Sequence, residues 1–589
     1  MFNKIINSLD FARKIFVNLI FLFFLFTIFL GLIIFPFFND ARPNVKGSIL
    51  SIYSSEINET KDQSFFDSSD NLSVSEIIQS IDHASLNDEV TMLFIDLSYL
   101  SISNVSSLEI GMALDSFKGN GKKIIAYSDF LDQNQYLLAS YADEIILNPL
   151  GVVYLEGFKK YNIYLKDALE RFNLEINTYV AGEFKSATEI FTRSNMSDED
   201  KTQSISYLNS LWNNWQLVVK ENRKEKLLVD INNYINNFSA LDVNKKMSSA
   251  EISMKYGFVD KILNRVELRD YLLTQDGIEL DKNTNSPRFT YIQDYFEITQ
   301  KQEDHPSSLA IINATGEIFD GSYKENQISS EDLSKLIRSV SKDSSIKGLL
   351  LRINSPGGSG FASEIIRQEL LNLKSKGIPI IVSMADIAAS GGYWIAADAD
   401  EIWASPLTLT GSIGVFAVLP SIEKALNQYG VNYDGVSTTN FNPSIVSSPS
   451  ESVNKFMQNF VDKAYDDFIN LVSEGRNLNK EEVEKIAKGR VWTGSEAKEN
   501  GLIDNLGTQS DALKRLSELA NINHYQVKQL GIEKSFFEII KNNIFSYSNI
   551  SLNVPINLES GIQNIILNSK ILNDRYIDLK LNCVDCLIQ

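Results

Sequence analysis

The order of apolar and polar positions divides this 589-residue chain into a short charged start, one long apolar run and a large remainder of shorter patterns. The apolar run covers residues 15–38, which are 24 residues without a charged side chain. As a helix it would be about 36 Å long, enough to cross a hydrocarbon core of about 30 Å. Its length and its bulky end at Phe37 and Phe38 favour an uncleaved signal anchor, because a cleaved signal peptide is shorter and ends in small residues.

The charges beside this run predict its orientation. Lys4, Arg13 and Lys14 precede it, and basic residues mark the cytoplasmic side of a membrane segment. We therefore expect residues 1–14 to lie in the cytoplasm and residues 39–589 on the other side. No second run of similar length follows in the sequence, so we predict a single-pass protein with a large soluble portion.

The soluble portion contains an internal repeat. Residues 136–146 resemble residues 393–403 at a spacing of 393 − 136 = 257 residues. Further along, Gly257–Asp260 resembles Gly501–Asp504. The polar stretch 285–308 lies between the copies and is typical of a linker. The pattern indicates a tandem duplication of a domain of about 250 residues, within the usual size range of a domain.

Each copy alternates short apolar runs with amphipathic stretches, which is the order of βαβ units. In the second copy we predict strands over 348–353 and 378–384, with a helix over 361–374 between them. The predicted fold class is α/β, with two domains of largely parallel sheet over residues 39–300 and 301–589.

Composition narrows the function classes. Lys+Arg 55 against Asp+Glu 75 gives a net charge of −20, which disfavours nucleic-acid binding, because phosphate neutralisation needs clustered basic residues. Cys583 and Cys586 are the two cysteines of the chain, and the chain has three histidines. These numbers disfavour a zinc site or another metal site with Cys and His ligands. We expect no metal and no cofactor, and we interpret the cysteine pair as part of a loose tail.

Two small-residue turns in the second copy are candidates for chemistry. Asn354–Gly358 follows a predicted strand, where backbone N–H groups between glycines can face an anion. Ser390 lies within Ala388–Gly392 at a strand-to-helix turn, a position that can raise a nucleophile. A plain tight turn and close helix packing are the structural alternatives. The first copy has Ser98–Ile102 and Gln133–Gln135 at these places, so the difference between the copies favours function in the second.

A serine nucleophile needs a base, and no histidine lies near these motifs. Lys185 follows a predicted strand among mostly uncharged residues, and a buried lysine can serve as a base when it is neutral. Its partner in the second copy is 185 + 257 = 442, which is Asn442. The first copy therefore keeps the lysine and lacks the serine, and the second copy does the reverse. A solvated surface lysine remains the structural alternative.

These motifs together resemble the signal peptide peptidase A family, also called protease IV, in its long two-repeat, membrane-anchored form. The resemblance covers nearly the whole soluble portion and rests on four segments, which are Phe184–Ala187, Asn354–Ser359, Ala385–Tyr393 and Leu409–Val415. It implies a serine protease with a Ser/Lys dyad, in which Ser390 is the nucleophile and Lys185 the general base. It also implies a crotonase/Clp-protease-like fold in each repeat.

Further site residues follow from the same resemblance. Ser412 matches a serine that helps to orient the lysine, and the oxyanion hole and substrate edge correspond to Gly357, Gly358 and Gly391. Ala385 and Asp386 depart from the family, which has glycines there. A carboxylate so close to the nucleophile could favour the charged form of Lys185, so the pH optimum stays open. As a base, Lys185 should have a pKa well below the roughly 10.4 of free lysine.

The function implied is that of an endopeptidase that degrades cleaved signal peptides and other short hydrophobic peptides at the outer face of a bacterial inner membrane. The family further implies a homo-oligomeric bowl, a homotetramer, with the active sites facing an enclosed chamber. Two alternatives remain, a non-catalytic membrane scaffold or pseudoprotease and a crotonase-type acyl-CoA enzyme. The acyl-CoA enzyme would need two backbone donors but no Ser/Lys pair.

Overall fold

The computed structural model describes most of the soluble portion. The described residues are 13–14, 16–27, 29, 45–59, 72–238, 246–299, 305–321, 327–439, 441–531 and 580–582. Within the predicted membrane segment, residues 16–27 are helical, whereas residues 15, 28 and 30–38 lie outside the described residues. Among the described residues no helix combines the length and the apolar character required to span a membrane. Cys583 and Cys586 also lie outside the described residues.

The first repeat is built on a six-stranded parallel sheet in the order β6-β4-β3-β2-β1-β9. Its strands in chain order are β1 Ile49–Tyr53, β2 Met92–Asp96, β3 Lys123–Ser128, β4 Glu144–Leu147, β5 Glu175–Ala181, β6 Lys261–Ile262, β7 Leu280–Asp281, β8 Ser286–Pro287 and β9 Phe289–Tyr291. Its helices are α1 Val74–Leu86, α2 Asn104–Gly119, α3 Gln133–Ala139, α4 Lys166–Arg171, α5 Glu189–Thr192, α6 Asp198–Arg223, α7 Ile231–Asn236, α8 Ser249–Lys255, α9 Arg265–Leu273 and α10 Ile292–Thr299.

The second repeat has the same plan, with the main sheet in the order β19-β17-β15-β13-β10-β21 and with β16 and β20 branching from β15. Its strands are β10 Ser308–Thr315, β11 Glu317–Phe319, β12 Gln327–Ser329, β13 Ile346–Ser355, β14 Gly357–Ser359, β15 Ile380–Ala389, β16 Glu401–Ala404, β17 Leu409–Gly411, β18 Val415–Ser421, β19 Val491–Thr493, β20 Asn505–Leu506, β21 Gln526–Leu530 and β22 Lys580–Asn582. Its helices are α11 Ser330–Val340, α12 Gly360–Ser375, α13 Gly391–Ala396, α14 Glu423–Gln428, α15 Glu451–Arg476, α16 Lys480–Ile486, α17 Gly494–Glu499 and α18 Gln509–Leu519.

Both main sheets are covered by helices on two faces, which explains the continuous apolar runs of their strands. In the first repeat α1 and α2 pack on one face, and Leu268 and Leu272 of α9 pack on the other. In the second repeat α11 and α12 cover one face, and Ala512 and Leu516 of α18 cover the other. Each repeat therefore builds a core on its own sheet, and the core of the first repeat also includes Ala389, Leu407, Leu409 and Val491 of the second.

A third sheet joins the two repeats and positions the candidate site. Its order is β12-β11-β14-β22-β18-β5, so that β5 of the first repeat pairs with β18 of the second. The pairing is antiparallel and continuous, from Ala181 opposite Val415 to Glu175 opposite Ser421. Because of this pairing, the segment that follows β5 lies next to the second repeat.

A buried ionic cluster also spans the two repeats. The guanidinium of Arg352 in β13 donates to both carboxylate oxygens of Glu59 and of Glu109, at 2.8–3.0 Å. All three side chains are buried, with Arg352 and Glu109 only 1–2% exposed. Both carboxylates belong to the first repeat, so the cluster ties that repeat to the central strand of the second.

The predicted elements mostly agree with the structure. The helix predicted over 361–374 is confirmed as α12, and the strand predicted over 348–353 lies within β13. The interpretation of 285–308 as a linker was wrong for residues 286–299, which form β8, β9 and α10. Apolar side chains explain the difference, because the ring of Phe289 in β9 packs against Phe94 of the main sheet with centroids 6.0 Å apart.

Candidate active site

Ser390 lies at the sharp turn between β15 and α13. Its backbone has φ 55° and ψ −114°, which is uncommon for a residue other than glycine. The turn is fixed by two hydrogen bonds, because the N–H of Ser390 donates to the Gly411 carbonyl at 2.8 Å and its own carbonyl accepts from the N–H of Trp394 at 2.8 Å. The residue is fully buried. The structure thus holds the predicted nucleophile rigidly at the carboxyl edge of the main sheet.

The glycines after Ser390 allow close packing at this edge. A Cβ on Gly392 would lie 3.0 Å from the Ser355 carbonyl oxygen, so a larger residue would require α13 or the end of β13 to shift by a few tenths of an ångström. Gly391 is the first residue of α13, and N–H groups of the first helical turn have no partner within the helix. N–H groups that have no partner within the helix therefore begin immediately after the predicted nucleophile.

Lys185 reaches the second repeat through the loop that follows β5. The N–H of Phe184 donates to the Lys488 carbonyl at 2.8 Å, and that of Lys185 donates to the Gly182 carbonyl at 3.1 Å. The ring of Phe184 lies under the guanidinium of Arg490, with 4.2 Å between the guanidinium carbon and the ring centroid. These contacts fix the loop on the second repeat, and the Lys185 side chain is buried.

The amine of Lys185 meets the two predicted serines. Its Nζ lies 2.8 Å from Ser390 Oγ, 2.9 Å from Ser412 Oγ and 3.1 Å from the Ser412 carbonyl oxygen. Ser412 has φ 50°, and its N–H donates to the Arg490 carbonyl at 2.8 Å. A neutral amine has two N–H groups and one lone pair. If both N–H groups donate to Ser412, the lone pair faces the hydroxyl of Ser390, which is the arrangement that a general base needs.

Gly357 and Gly358 form the short strand β14 beside this site, where the sequence predicted only a turn. A Cβ on Gly358, at φ 153°, would lie 1.9 Å from the Ile318 carbonyl oxygen, so no other residue fits. The N–H of Gly357 donates to Ser355 Oγ at 3.1 Å. That donor already has a partner, and Gly358 is itself paired with Ile318 of β11, so the binding of an oxyanion by these glycines and Gly391 stays a prediction.

Asp386 is oriented toward the first repeat. Its Oδ1 accepts from the N–H of Val105 at 3.2 Å, and burial raises the pKa of its carboxyl group, with the charge of Glu59 acting in the same direction. Arg352 acts in the opposite direction. The Asp386 carboxyl group therefore interacts electrostatically with Glu59 and Arg352 of the ionic cluster between the repeats.

In the first repeat, the position that corresponds to Ser390 lies at the capped start of a helix. Asp132 caps α3, and the first residue of that helix, Gln133, accepts from the N–H of Gly157 at 2.9 Å. Gln135 donates to the Leu100 carbonyl at 2.8 Å. Asn442 is exposed.

The repeat spacing is not constant near Asn442. It is 423 − 166 = 257 at α4 and α14, but 451 − 198 = 253 at α6 and α15, so the equivalent of Lys185 lies within 438–442.

Sequence reasoning missed Gly489, which lies directly behind Lys185. It has φ 83°, and a Cβ there would lie 2.6 Å from the Lys185 nitrogen and 2.8 Å from its Cβ. The sequence signal was a glycine three residues after the end of α16, but that signal does not identify the residue 304 positions away that needs the space. As for metals, no group of three or more His, Cys, Asp or Glu within the described ranges is placed to hold an ion.

Comparison with known proteins places this geometry in context. The sequence profile of peptidase family S49 matches residues 116–262 and 372–523. Protease 4 of Haemophilus influenzae is 38% identical over 458 residues, which cover 76% of this chain and 73% of that protein. Protease 4 of Salmonella typhi is 32% identical over 557 residues, which cover 91% of this chain and 88% of that protein.

Solved structures with similarity to the chain include two proteases. A membrane-bound stomatin-specific protease is 17% identical with a TM-score of 0.26, and the match covers 38% of this chain and 99% of that one. ClpP1 of Listeria monocytogenes is 17% identical with a TM-score of 0.23, and the match covers 34% of this chain and 94% of that one.

Proposed function

The chain belongs to peptidase family S49, a family of serine peptidases, and from this membership we propose that it is an endopeptidase with a Ser/Lys dyad. Ser390 is the nucleophile and Lys185 the general base. The observation that carries the proposal is the 2.8 Å contact between Lys185 Nζ and Ser390 Oγ, made in a buried site between residues from different repeats. A hydroxyl and an amine at hydrogen-bond distance have the geometry of a nucleophile and its general base, and this chemistry distinguishes the contact from the ionic cluster between the repeats.

The proposed reaction begins with neutral Lys185. Its amine takes the proton of Ser390 as Oγ attacks the peptide carbonyl, and the Ser412 carbonyl and hydroxyl hold the amine in line. The N–H groups of Gly358 and Gly391 stabilise the oxyanion. The protonated lysine then gives its proton to the leaving amine, and water hydrolyses the acyl-enzyme with Lys185 again as the base.

Labelling with a serine-directed acylating probe tests the dyad. We expect one modified residue, Ser390, and no labelling or hydrolysis in Ser390→Ala or Lys185→Ala. Lys185→Arg should also be inactive, because guanidinium does not release its proton at working pH. Members of one catalytic unit act together, so the Ser390→Ala, Lys185→Ala double variant should be little worse than either single variant.

The matched controls are the positions that correspond to Ser390 and Lys185 in the opposite copy of the repeat. Gln133→Ala and Asn442→Ala alter the positions that correspond to the dyad by the 257-residue spacing, and they should leave hydrolysis nearly unchanged. If the correctly folded Lys185→Ala variant is labelled at the wild-type rate, the general base is a residue other than Lys185. A chain that is never labelled would favour the non-catalytic scaffold.

We also propose a location and a substrate class. Residues 15–38 anchor the chain, residues 1–14 are cytoplasmic, and residues 39–589 act at the outer face of a bacterial inner membrane on cleaved signal peptides and other short hydrophobic peptides. One supporting relative is named a putative signal peptide peptidase from Enterococcus faecium, 37% identical over 211 residues. A periplasm-dependent reporter fused after Gln589 should be active, whereas activity of a cytoplasm-dependent reporter would reverse the orientation.

Self-assembly into a homotetramer is part of the proposal, and the repeat suggests how copies meet. At the spacing of 257, β18 corresponds to 158–164 and β5 corresponds to 432–438. Within the described parts of the chain, neither segment belongs to a strand, and most of their side chains are exposed or half-exposed. The pair that β5 and β18 make inside one chain is therefore available to be made between two chains.

A cross-link tests this contact. Pro420 lies opposite Ile176, so the equivalent intermolecular pair is Ile163 with Tyr433. In a chain without its natural cysteines, Ile163→Cys with Tyr433→Cys should form disulfide-linked oligomers, because opposite strand residues lie about 5 Å apart. Leu150→Cys with Tyr433→Cys is the control, since Leu150 is exposed outside the segment. Equal cross-linking of both pairs would contradict the contact.

A further inference from the structure

A buried ion pair lies at the start of α6, beside the loop that carries Lys185. Lys160 Nζ is 2.7 Å from Asp200 Oδ1, and the two side chains are only 3% and 1% exposed. Moving two opposite charges out of water costs free energy, and their attraction offsets that cost only where further polar contacts complete the site. A pair this deeply buried is therefore not explained by stability alone.

The contacts of the pair extend to both neighbours of Lys185. Asp200 Oδ1 also accepts from Ser186 Oγ at 2.9 Å and from Gln203 Nε2 at 3.2 Å. The same Gln203 amide donates to the Phe184 carbonyl at 2.8 Å. The residue before Lys185 and the residue after it are thus both held by α6, and Asp200 connects the two contacts.

The second repeat shows which residues are sufficient for folding at these positions. Asp200 in α6 and Val453 in α15 are equivalent, because each is the third residue of its helix and its N–H donates to the side chain of the serine cap, at 3.0 Å and 3.4 Å. Lys160 corresponds to 160 + 257 = 417, which is Ala417. Val453 and Ala417 are both buried. Apolar residues are therefore sufficient there, and the charged pair occurs in the repeat that carries the proposed base.

The two charges of the pair have opposite effects on a neighbouring amine. A nearby carboxylate favours the protonated form of an amine, and a second cation disfavours it. Asp200 alone would therefore favour the protonated form of Lys185, which cannot act as a base, whereas Lys160 balances the charge of Asp200. Further charged side chains around the loop and its partners are Glu183, Glu189, Arg193, Asp386, Lys488 and Arg490. They are the same in every variant below, so they do not cause differences between variants.

We propose that Lys160 and Asp200 are positioning residues for the proposed general base. Asp200, directly and through Gln203, holds the loop on both sides of Lys185, and Lys160 balances the carboxylate so that no net negative charge lies beside the loop. The role in catalysis rests on the proposed peptidase function, whereas the role in holding the loop does not.

The pH dependence of labelling by a serine-directed acylating probe tests the balance of charge. In Lys160→Met the remaining carboxylate should raise the pH at which the labelling rate is half-maximal by about one unit, and in Asp200→Asn the remaining ammonium should lower it by a similar amount. The double variant has neither charge, so its midpoint should return close to that of the wild type. Lys201→Met is the matched control, since Lys201 pairs with Asp198 on the exposed side of the same helix, and its midpoint should not move.

The signs of these shifts separate a balance of charge from a loss of packing. Equal midpoints in all variants, or shifts of the same sign in both single variants, would overturn the balance of charge. If Lys160→Met does not fold, the downward shift in Asp200→Asn and its reversal in the double variant decide the question in its place.

Hydrogen exchange in the Ser390→Ala background tests the holding of the loop without relying on catalysis. The Phe184 N–H, which donates to the Lys488 carbonyl, should exchange at least tenfold faster in Asp200→Ala, which removes the carboxylate that connects the two contacts of the loop. The β13 amides should be protected equally with and without this change, which checks folding. Unchanged exchange of the Phe184 N–H would overturn the holding of the loop. If no chain is labelled while this exchange still depends on Asp200, the peptidase assignment fails and the holding of the loop stands.

Discussion

Ser390 and Ser412 share a backbone conformation that serine rarely adopts. Both have φ of 50–55°, and both are completely buried with their hydroxyl oxygens within 3 Å of Lys185 Nζ. Such a conformation costs about 1–3 kcal/mol, and glycine would adopt it without strain. We therefore predict that both hydroxyl groups are needed.

Ser412→Gly tests that need without introducing strain. The variant keeps the backbone conformation and removes only the hydroxyl that meets the Lys185 amine. We expect kcat to fall by about tenfold to a hundredfold and the pH–rate profile to shift, because the base is less well oriented. Stability against urea should be unchanged or slightly higher. An unchanged kcat and pH profile would show that Ser412 does not orient the lysine.

Gly489→Ala tests the support behind Lys185. The new Cβ would clash with the Lys185 backbone, so we expect a loss of at least tenfold in kcat/KM with the fold retained. Gly377→Ala is the matched control for backbone strain, since Gly377 has a similar φ of 81° but no neighbour within 4 Å of the added Cβ. Equal losses in both variants would attribute the effect to strain alone.

These residues also show how far sequence reasoning reached. Ser390 and Lys185 could be predicted because the two repeats differ at these positions, and the structure brings their side chains together. Gly489 could not be predicted, because its role depends on a contact with a residue 489 − 185 = 304 positions away. The clash is a property of the folded backbone, and no local pattern records it.

At the scale of elements, amphipathic periodicity predicted α12, and apolar runs predicted the strands on either side of it. The strand predicted over 378–384 is β15, which begins two residues later and ends five residues later than predicted. Periodicity did not predict β14, because three residues of glycine and serine have no apolar alternation. Nor did it predict that β5 pairs with β18. Strand pairing between distant segments depends on backbone hydrogen bonds that every sequence can make, so composition alone does not identify the partner.

The pairing of β5 with β18 can be broken at one residue. Thr178 lies opposite Val418 in the middle of β5, and proline there would hold φ near −65°, far from the roughly −140° of an antiparallel strand. We expect Thr178→Pro to lower hydrolysis and probe labelling at least tenfold by misplacing the Lys185 loop, while each main sheet persists by circular dichroism. Thr178→Val, which keeps a β-branched side chain, should retain activity. Activity retained in Thr178→Pro would mean that the pairing does not position the base.

At the scale of the whole molecule, the two repeats are held together by polar contacts as well as by β5 and β18. Two buried carboxylates, Glu59 and Glu109, share the single guanidinium of Arg352. Burial raises the pKa of Glu109, and the neighbouring charge of Glu59 adds to the shift while Arg352 opposes it. One proton therefore binds more tightly in the folded protein than in the unfolded chain.

This shift predicts a pH dependence of stability. Stability from the bound proton is fully present below the ordinary pKa of about 4.5 and is lost as pH rises through the raised pKa of Glu109. The melting temperature of the wild type should fall by several degrees between pH 5 and pH 8. Glu109→Gln should show a smaller fall, and Glu199→Gln, which changes an exposed carboxylate, should behave like the wild type. Equal slopes in all three proteins would contradict a proton shared at this cluster.

The division of the proposed dyad between two repeats also changes how activity would respond to a break in the chain. α10 ends the first repeat at Thr299 and β10 begins the second at Ser308, so a cut between them leaves each fragment with one member of the dyad. Catalysis in the cut protein then requires two fragments to meet, and it obeys mass action. Below the dissociation constant of the fragments, the rate would fall with the square of the dilution, whereas the rate of the intact chain falls only linearly.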